Sequence, residues 1–179
     1  MIVLIPLGGL GSRFKDNGYT KPKALVNALG KPILYWLLDS LKESKVDYIY
    51  IPYNIEYKKY RLEDQILKDY PDINFKFLPL KEDTRGAAET IHIALDHLVK
   101  DDVPDSEVLC LDGDNFYSNN IVSLWGGKNA VVTFVDQSQS TKPIYSYVSV
   151  DQSLKINNIV EKEKISDLAC SGAYGFNSF

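Results

Sequence analysis

Short apolar runs alternate with longer amphipathic segments along the 179 residues of this chain. Continuous apolar runs over 2–6, 48–52, 74–78, 107–111 and 130–135 read as strands. Segments over 32–42, 56–69 and 85–99 carry apolar residues at helical spacing and read as helices. The first of these has Pro32 in its opening turn, with Ile33, Trp36, Leu37, Leu38 and Leu41 on one stripe, so Trp36 is expected in the core. This alternation predicts an α/β layered fold with a mostly parallel sheet. Three later runs, 145–150, 155–161 and 173–176, have connections too short for helical crossovers, which predicts some antiparallel pairing. The polar stretch 136–142 reads as a loop and is expected to be mobile. No internal repeat or low-complexity segment interrupts the pattern.

Composition narrows the class. A chain of 179 residues with 45% hydrophobic and 25% charged residues is long enough for one domain with a sizeable core. A net charge of −4 leaves no general basic surface, which argues against nucleic acid as a partner. No apolar run is long enough to span a bilayer and no leader is recognisable, so neither a membrane partner nor export is expected, and the cytoplasm is the plain reading. Cys110 lies inside an apolar run and reads as a buried, reduced core residue; pairing with Cys170, the only other cysteine, has no further support. The apolar segment 172–179 ends without a closing helix, so 1–179 is expected to be a single domain lacking its C-terminal part.

The candidate chemistry begins where the first strand ends. The run Ile2-Val3-Leu4-Ile5-Pro6-Leu7 opens into Gly8-Gly9-Leu10-Gly11-Ser12-Arg13-Phe14, and Lys21-Pro22-Lys23 follows. Glycines after a buried strand let backbone N–H groups approach a phosphate chain that a Cβ would hold away. Arg13 and Lys23 then supply positive charge. The dinucleotide fingerprint is excluded because Phe14 stands where its third glycine belongs, and a P-loop is excluded because no Gly-Lys-Ser/Thr occurs. An ordinary glycine turn and a solvated loop lysine are the bland alternatives. Asp112-Gly113-Asp114 follows the apolar run 108–111, which places two carboxylates at a strand's carboxyl end, where open α/β sheets bind ligands. Oxygen donors of this kind suit Mg²⁺, although a strand-end turn also favours aspartate.

Together these residues resemble the signature of the nucleotidyltransferases that activate sugar phosphates. Gly8-Gly9-Leu10-Gly11-Ser12-Arg13-Phe14 with Pro22-Lys23-Ala24-Leu25 is similar to its Gly-x-Gly-x-Arg-(Leu/Phe) and Pro-Lys-x-Leu. Thr84-Arg85-Gly86-Ala87-Ala88-Glu89-Thr90, Leu111-Asp112-Gly113-Asp114-Asn115, Val160-Glu161-Lys162 and Ser171-Gly172-Ala173-Tyr174 follow in the family's order. The resemblance implies a three-layer Rossmann-like nucleotide-binding fold of the nucleotide-diphospho-sugar transferase type. It also implies transfer of a nucleoside monophosphate from a nucleoside triphosphate to a sugar phosphate or related phosphomonoester, with pyrophosphate as leaving group and surface polysaccharide synthesis as the context.

The same resemblance implies residue roles. Arg13 would contact the leaving β,γ-phosphates and Lys23 the α-phosphate. Leu7, Gly8, Gly9, Gly11, Ser12, Gly86 and Asp112 would bind the nucleotide, with the base near Gly86 and the Gly8-Gly9 turn. Asp114 would hold Mg²⁺. Lys162 would bind the acceptor's phosphate, Glu161 a hydroxyl or amine of its body, and Gly172 would line that pocket. Thr84 as a helix cap and Glu89 as a first-turn acid are the structural alternatives in the third motif, and a solvated strand end is the alternative for Glu161–Lys162. The chain departs from the family where Glu163 replaces a proline and Cys170-Ser171 replaces Asn-Ala. The family's second metal aspartate has no match; Asp136, Asp151 and Asp167 come too early. His92 and His97 have no metal-ligand partner at helical spacing and read as structural or surface residues.

Two other classes of function fit parts of the pattern. A glycosyltransferase of similar fold would use Asp112-Gly113-Asp114 as its metal motif but has no need of Arg13 and Lys23. A non-catalytic nucleotide-binding domain would explain the unmatched aspartate. The nucleobase, the acceptor and the oligomeric state are left open.

Overall fold

Ile2, Val3 and Leu4 are all but inaccessible, because the strand they form, β1 (Ile2–Leu4), runs through the centre of the molecule. In this computed structural model, which describes residues 1–9, 11, 14, 16–138 and 142–179, β1 pairs in parallel with β4 (Tyr48–Asn54) and β6 (Val108–Leu111). Strand β5 (Phe75–Leu80) joins β4, also in parallel. A small hairpin, β2 (Asn27–Ala28) and β3 (Lys31–Pro32), lies apart from this sheet. Beyond β6 the direction reverses. The long β10 (Leu168–Phe176) runs antiparallel to β6, to β7 (Ala130–Val135) and to β8 (Ser146–Val150), and β8 pairs with β9 (Ile156–Glu161). The parallel half and the antiparallel pairing expected from short connections therefore share one eight-stranded sheet.

Helices cover both faces. Helix α1 (Ile33–Leu41) buries Leu34, Leu37, Leu38 and Leu41, and α2 (Leu62–Asp69) buries Leu62 and Ile66, against Val3, Ile5, Ile49 and Ile51. On the opposite face, α3 (Ala87–Lys100) buries Ala94 and Leu98 against Ile2, Leu4, Tyr48 and Tyr50. Alternate residues of one strand thus feed two cores, which makes the three layers.

The local differences from expectation have physical causes. The segment 56–69 is two elements: a 3-10 turn Ile55–Tyr60, begun by the Asn54 side chain accepting from Glu56 N (2.9 Å), and α2 beyond Arg61, whose φ of +53° breaks the helix. Trp36 is only partly buried. It sits beside the α1 stripe, donating from Nε1 to Ala28 O of the β2–β3 hairpin (2.8 Å). Helix α4 (Ile121–Trp125) lies outside the expected set, yet its signals stand in the sequence: Asn120 accepts from Ser123 N (3.1 Å) and Gly126 ends it at φ +68°. Strand β10 starts at Leu168, five residues before its expected start, and carries an irregularity between Cys170 and Ala173. In the polar stretch 136–142, of which 139–141 lie outside the described residues, Asp136 is 5% exposed rather than solvated. Its carboxylate accepts from Tyr147 (2.7 Å) and from Ser138 N (2.9 Å).

Cys110 and Cys170 are free and buried, as a reduced core requires. Among the described residues no helix is long and apolar enough to cross a membrane.

Candidate functional site

The chain beyond β1 keeps the register of its neighbour for several residues. Leu7 N donates to Pro52 O (2.8 Å) and Asn54 N to Leu7 O (3.0 Å), so the glycine turn leaves the sheet at a defined point. There, at the carboxyl ends of β1 and β6, lies a cavity of about 250 Å³. One wall is Leu7, Gly8, Gly9 and Gly11; a second is Gly86, Ala87 and Thr90 at the start of α3; a third is Lys23, Tyr57 and the turn Asp112-Gly113-Asp114.

Close backbone approach holds these walls together. A Cβ on Gly8 would stand 2.6 Å from Thr84 Oγ1 and closer still to Thr90 Oγ1, and those two hydroxyls are bonded to each other (2.7 Å). Glycine at position 8 is therefore what lets the first turn dock on the α3 N-terminus. A Cβ on Gly9 or Gly86 would meet no atom of the described residues within 4 Å, so none of them closes these backbones off from the cavity. Thr84 does not cap α3: Gly86 occupies the cap position and Thr84 bonds sideways to Thr90. Glu89 does act as a first-turn acid, accepting from Arg85 N (2.6 Å) and Arg85 Nε (2.9 Å).

The carboxylates are set by β6 and β10. Asp112 N donates to Gly172 O (2.9 Å), while Asn115 Nδ2 (2.9 Å) and the Tyr117 hydroxyl (3.1 Å) both donate to Ser171 O. Gly172 takes φ +77° in the β10 irregularity, and a Cβ there would strike Asp112 Oδ2 at 2.6 Å. Burial pushes the Asp112 carboxyl up to about 6; the charge of Asp114 adds to this and Lys23 opposes it. Asp114 is ion-paired with Lys23 Nζ, which also lies 5.5 Å from the centre of the Phe14 ring.

Of the residues expected at the site, Leu7, Gly8, Gly9, Gly11, Lys23, Gly86, Asp112 and Asp114 line one cavity, and Gly172 abuts it through Asp112. Arg13 and Ser12 lie outside the described residues. Glu161 and Lys162 do not line the cavity. They stand at the end of the β8–β9 hairpin, where Lys162 N donates to Tyr145 O (2.8 Å) and Lys162 Nζ pairs with Glu161 (2.8 Å). Tyr57 is a cavity residue outside every motif, and Thr90, the last residue of the third motif, lines the cavity although no role was expected of it. His92 and His97 belong to α3 and do not line the cavity, and His97 Nδ1 faces Asp101 (3.2 Å). No group of three or more His, Cys, Asp or Glu side chains forms a metal site among the described residues.

Known proteins resemble this chain over most of its length. A family model described as nucleotidyl transferase matches residues 2–179. The chain is 27% identical over 179 residues to the bifunctional protein GlmU of Methanocaldococcus jannaschii, covering 99% of this chain and 40% of that protein. It is 26% identical to a putative mannose-1-phosphate guanyltransferase of Sulfolobus acidocaldarius, covering 97% and 47% respectively. Among solved structures, a nucleoside-diphosphate-sugar pyrophosphorylase from Vibrio cholerae superposes with a TM-score of 0.75 at 24% identity, over 99% of this chain and 73% of that one. A putative glucose-1-phosphate thymidylyltransferase from Bacillus anthracis does so at 0.76 and 20%, over 98% and 71%. At these identities the structural likeness carries the fold, and the chain spans less than half the length of both curated relatives. With the family model matching from Ile2 to Phe179, this chain belongs to the nucleotidyl transferase family.

Proposed function

We propose that this chain is the nucleotide-binding and catalytic part of an enzyme that moves a nucleoside monophosphate from a nucleoside triphosphate to a sugar phosphate or related phosphomonoester, releasing pyrophosphate. The observation that carries this reading is the single cavity shared by the glycine turn, Lys23, the open Gly86 backbone and the Asp112–Asp114 carboxylates. Relatives such as the putative mannose-1-phosphate guanyltransferase of Sulfolobus acidocaldarius support the acceptor class.

Both reactants are anions, so the site must overcome repulsion, align the attacking oxygen in line and stabilise charge on the leaving group. Lys23 meets the α-phosphate, and Arg13 the β,γ-phosphates. Backbone N–H groups of the Gly8–Gly11 turn supply further donors. In the structure Lys23 and Asp114 are each other's partner. Bound triphosphate takes over Lys23, which frees the Asp114 carboxylate for a cation. The donor set fits Mg²⁺: Asp112 is a carboxyl whose proton affinity is raised by burial beside a second carboxylate, and a hard cation relieves that repulsion. Asp114, with Asp112 nearby, would hold the ion, which neutralises phosphate charge when bound. Gly172, Glu161 and Lys162 serve the acceptor side, and the cytoplasmic synthesis of activated sugars for surface polysaccharides is the context we assign.

The test is pyrophosphate release with Mg²⁺, the four common triphosphates and a panel of sugar 1-phosphates and phosphocholine-like esters. Release with one pair establishes the reaction and names both substrates. Triphosphate binding without release from any pair, in the longest gene product as well, leaves a binding domain and overturns the catalytic reading.

A further inference from the structure

Tyr57 belongs to none of the sequence motifs, yet it lines the cavity with Lys23 and Asp114. It is 1% exposed, and its ring is fixed edge-on to Tyr53 at 6.3 Å between centroids. The turn that carries it is anchored by the Asn54 cap. Three other buried tyrosines direct their hydroxyls to carboxylates, Tyr53 to Glu63, Tyr70 to Asp39 (3.1 Å) and Tyr147 to Asp136 (2.7 Å), while buried Tyr48 leaves its hydroxyl without a partner. The Tyr57 hydroxyl has no hydrogen bond to any described residue. Among the described residues the buried side-chain polar atom without a partner is the Tyr48 hydroxyl, so the Tyr57 hydroxyl is not sealed in the core and opens on the cavity that its residue lines.

We propose that the Tyr57 hydroxyl donates a hydrogen bond to a phosphate oxygen of the bound nucleoside triphosphate, beside Lys23. The proposal rests on the nucleotide-binding reading above. Burial and the nearby Asp114 charge raise the phenol's proton affinity well above its ordinary value, so it stays a donor at any working pH. Tyr57 shares the cavity wall with the ion-paired Lys23 and Asp114. A neutral donor complements the cations there, since it approaches an anionic oxygen without adding charge to the wall. The backbone of the 3-10 turn, not side-chain rotation, fixes its position, so it is preorganised for the ligand.

Tyr57→Phe keeps the ring and removes only the hydroxyl. Titration calorimetry with UTP, CTP, GTP and dTTP, each with Mg²⁺, is expected to show about tenfold weaker binding of every triphosphate that the unaltered chain binds. The melting temperature of the ligand-free variant is expected to hold or rise. Affinity unchanged within twofold overturns the proposal. So does a loss confined to one base, which would assign the hydroxyl to base recognition, or a weaker affinity accompanied by a lower melting temperature, which would assign it to the fold. Absence of binding to all four by the unaltered chain overturns the nucleotide-binding reading itself.

Discussion

Replacing Gly8 by alanine tests whether the glycine turn is held against α3 by contact rather than by chance proximity. The added methyl would overlap Thr90 Oγ1 and lie 2.6 Å from Thr84 Oγ1, with Thr90 Cγ2 at 3.2 Å. Thr90 is 1% exposed and its hydroxyl also reaches Gly86 O (3.2 Å), so it has no solvent into which to retreat. Overpacking of this kind costs about 1–3 kcal/mol. For a domain of this size that lowers the melting temperature by roughly 2–12 °C, taking about 2–4 °C per kcal/mol. Urea denaturation followed by the fluorescence of Trp36 and Trp125 measures the cost directly. Thr90→Ala alone also destabilises, by about 1 kcal/mol, because the Thr84 hydroxyl and Gly86 carbonyl each lose a partner. The double variant, however, removes the nearest clash and leaves the methyl only the Thr84 hydroxyl, now unpaired and able to turn aside, at 2.6 Å. It is expected to cost at least about 1 kcal/mol less than the sum of the single changes. Additivity within about 0.5 kcal/mol would refute the contact.

Three further outcomes follow from particular residues. Lys23→Ala is expected to lower pyrophosphate release by about a hundredfold or more, read from initial rates, because the proposed mechanism puts its charge at the point of attack; a rate within threefold of the unaltered chain removes Lys23 from the chemistry. Asp136 is held down to about 2 by hydrogen bonds from Ser138 and Tyr147 with help from Lys164, so its stabilising effect is complete above the ordinary carboxyl range and is lost as pH falls from about 4 toward 2. Denaturation midpoints of the unaltered chain and of Asp136→Asn should therefore converge over that interval, and a gap independent of pH contradicts the assignment. Burial raises the Cys170 thiol and pushes Cys110 up to about 12, so neither should react with a thiol reagent at pH 8 until the chain is unfolded.

The sequence by itself determined the alternation of strand and helix, the buried first strand that holds Ile2–Leu4 and the positions of the glycine turn and of Asp112 and Asp114, because these are local. An apolar run with no polar alternation calls for cover on both faces, and glycines after it mark the chain's exit. The same kind of local signal, at Asn120 and Gly126, marks α4. The structure decided what depends on partners distant in the chain. Asp136 is buried because Tyr147, eleven residues on, offers it a hydroxyl, and no reading of a polar stretch reveals that. Tyr57 lines the cavity because a left-handed Arg61 separates its turn from α2 and Asn54 anchors the start, so a position that looks like one more apolar point on a helix borders the cavity instead. The environment of Asp112 likewise depends on an irregularity in β10, sixty residues later, that brings Gly172 against it. Strands and turns are written into neighbouring residues, whereas burial, charge environment and unpaired donors arise only when remote segments meet.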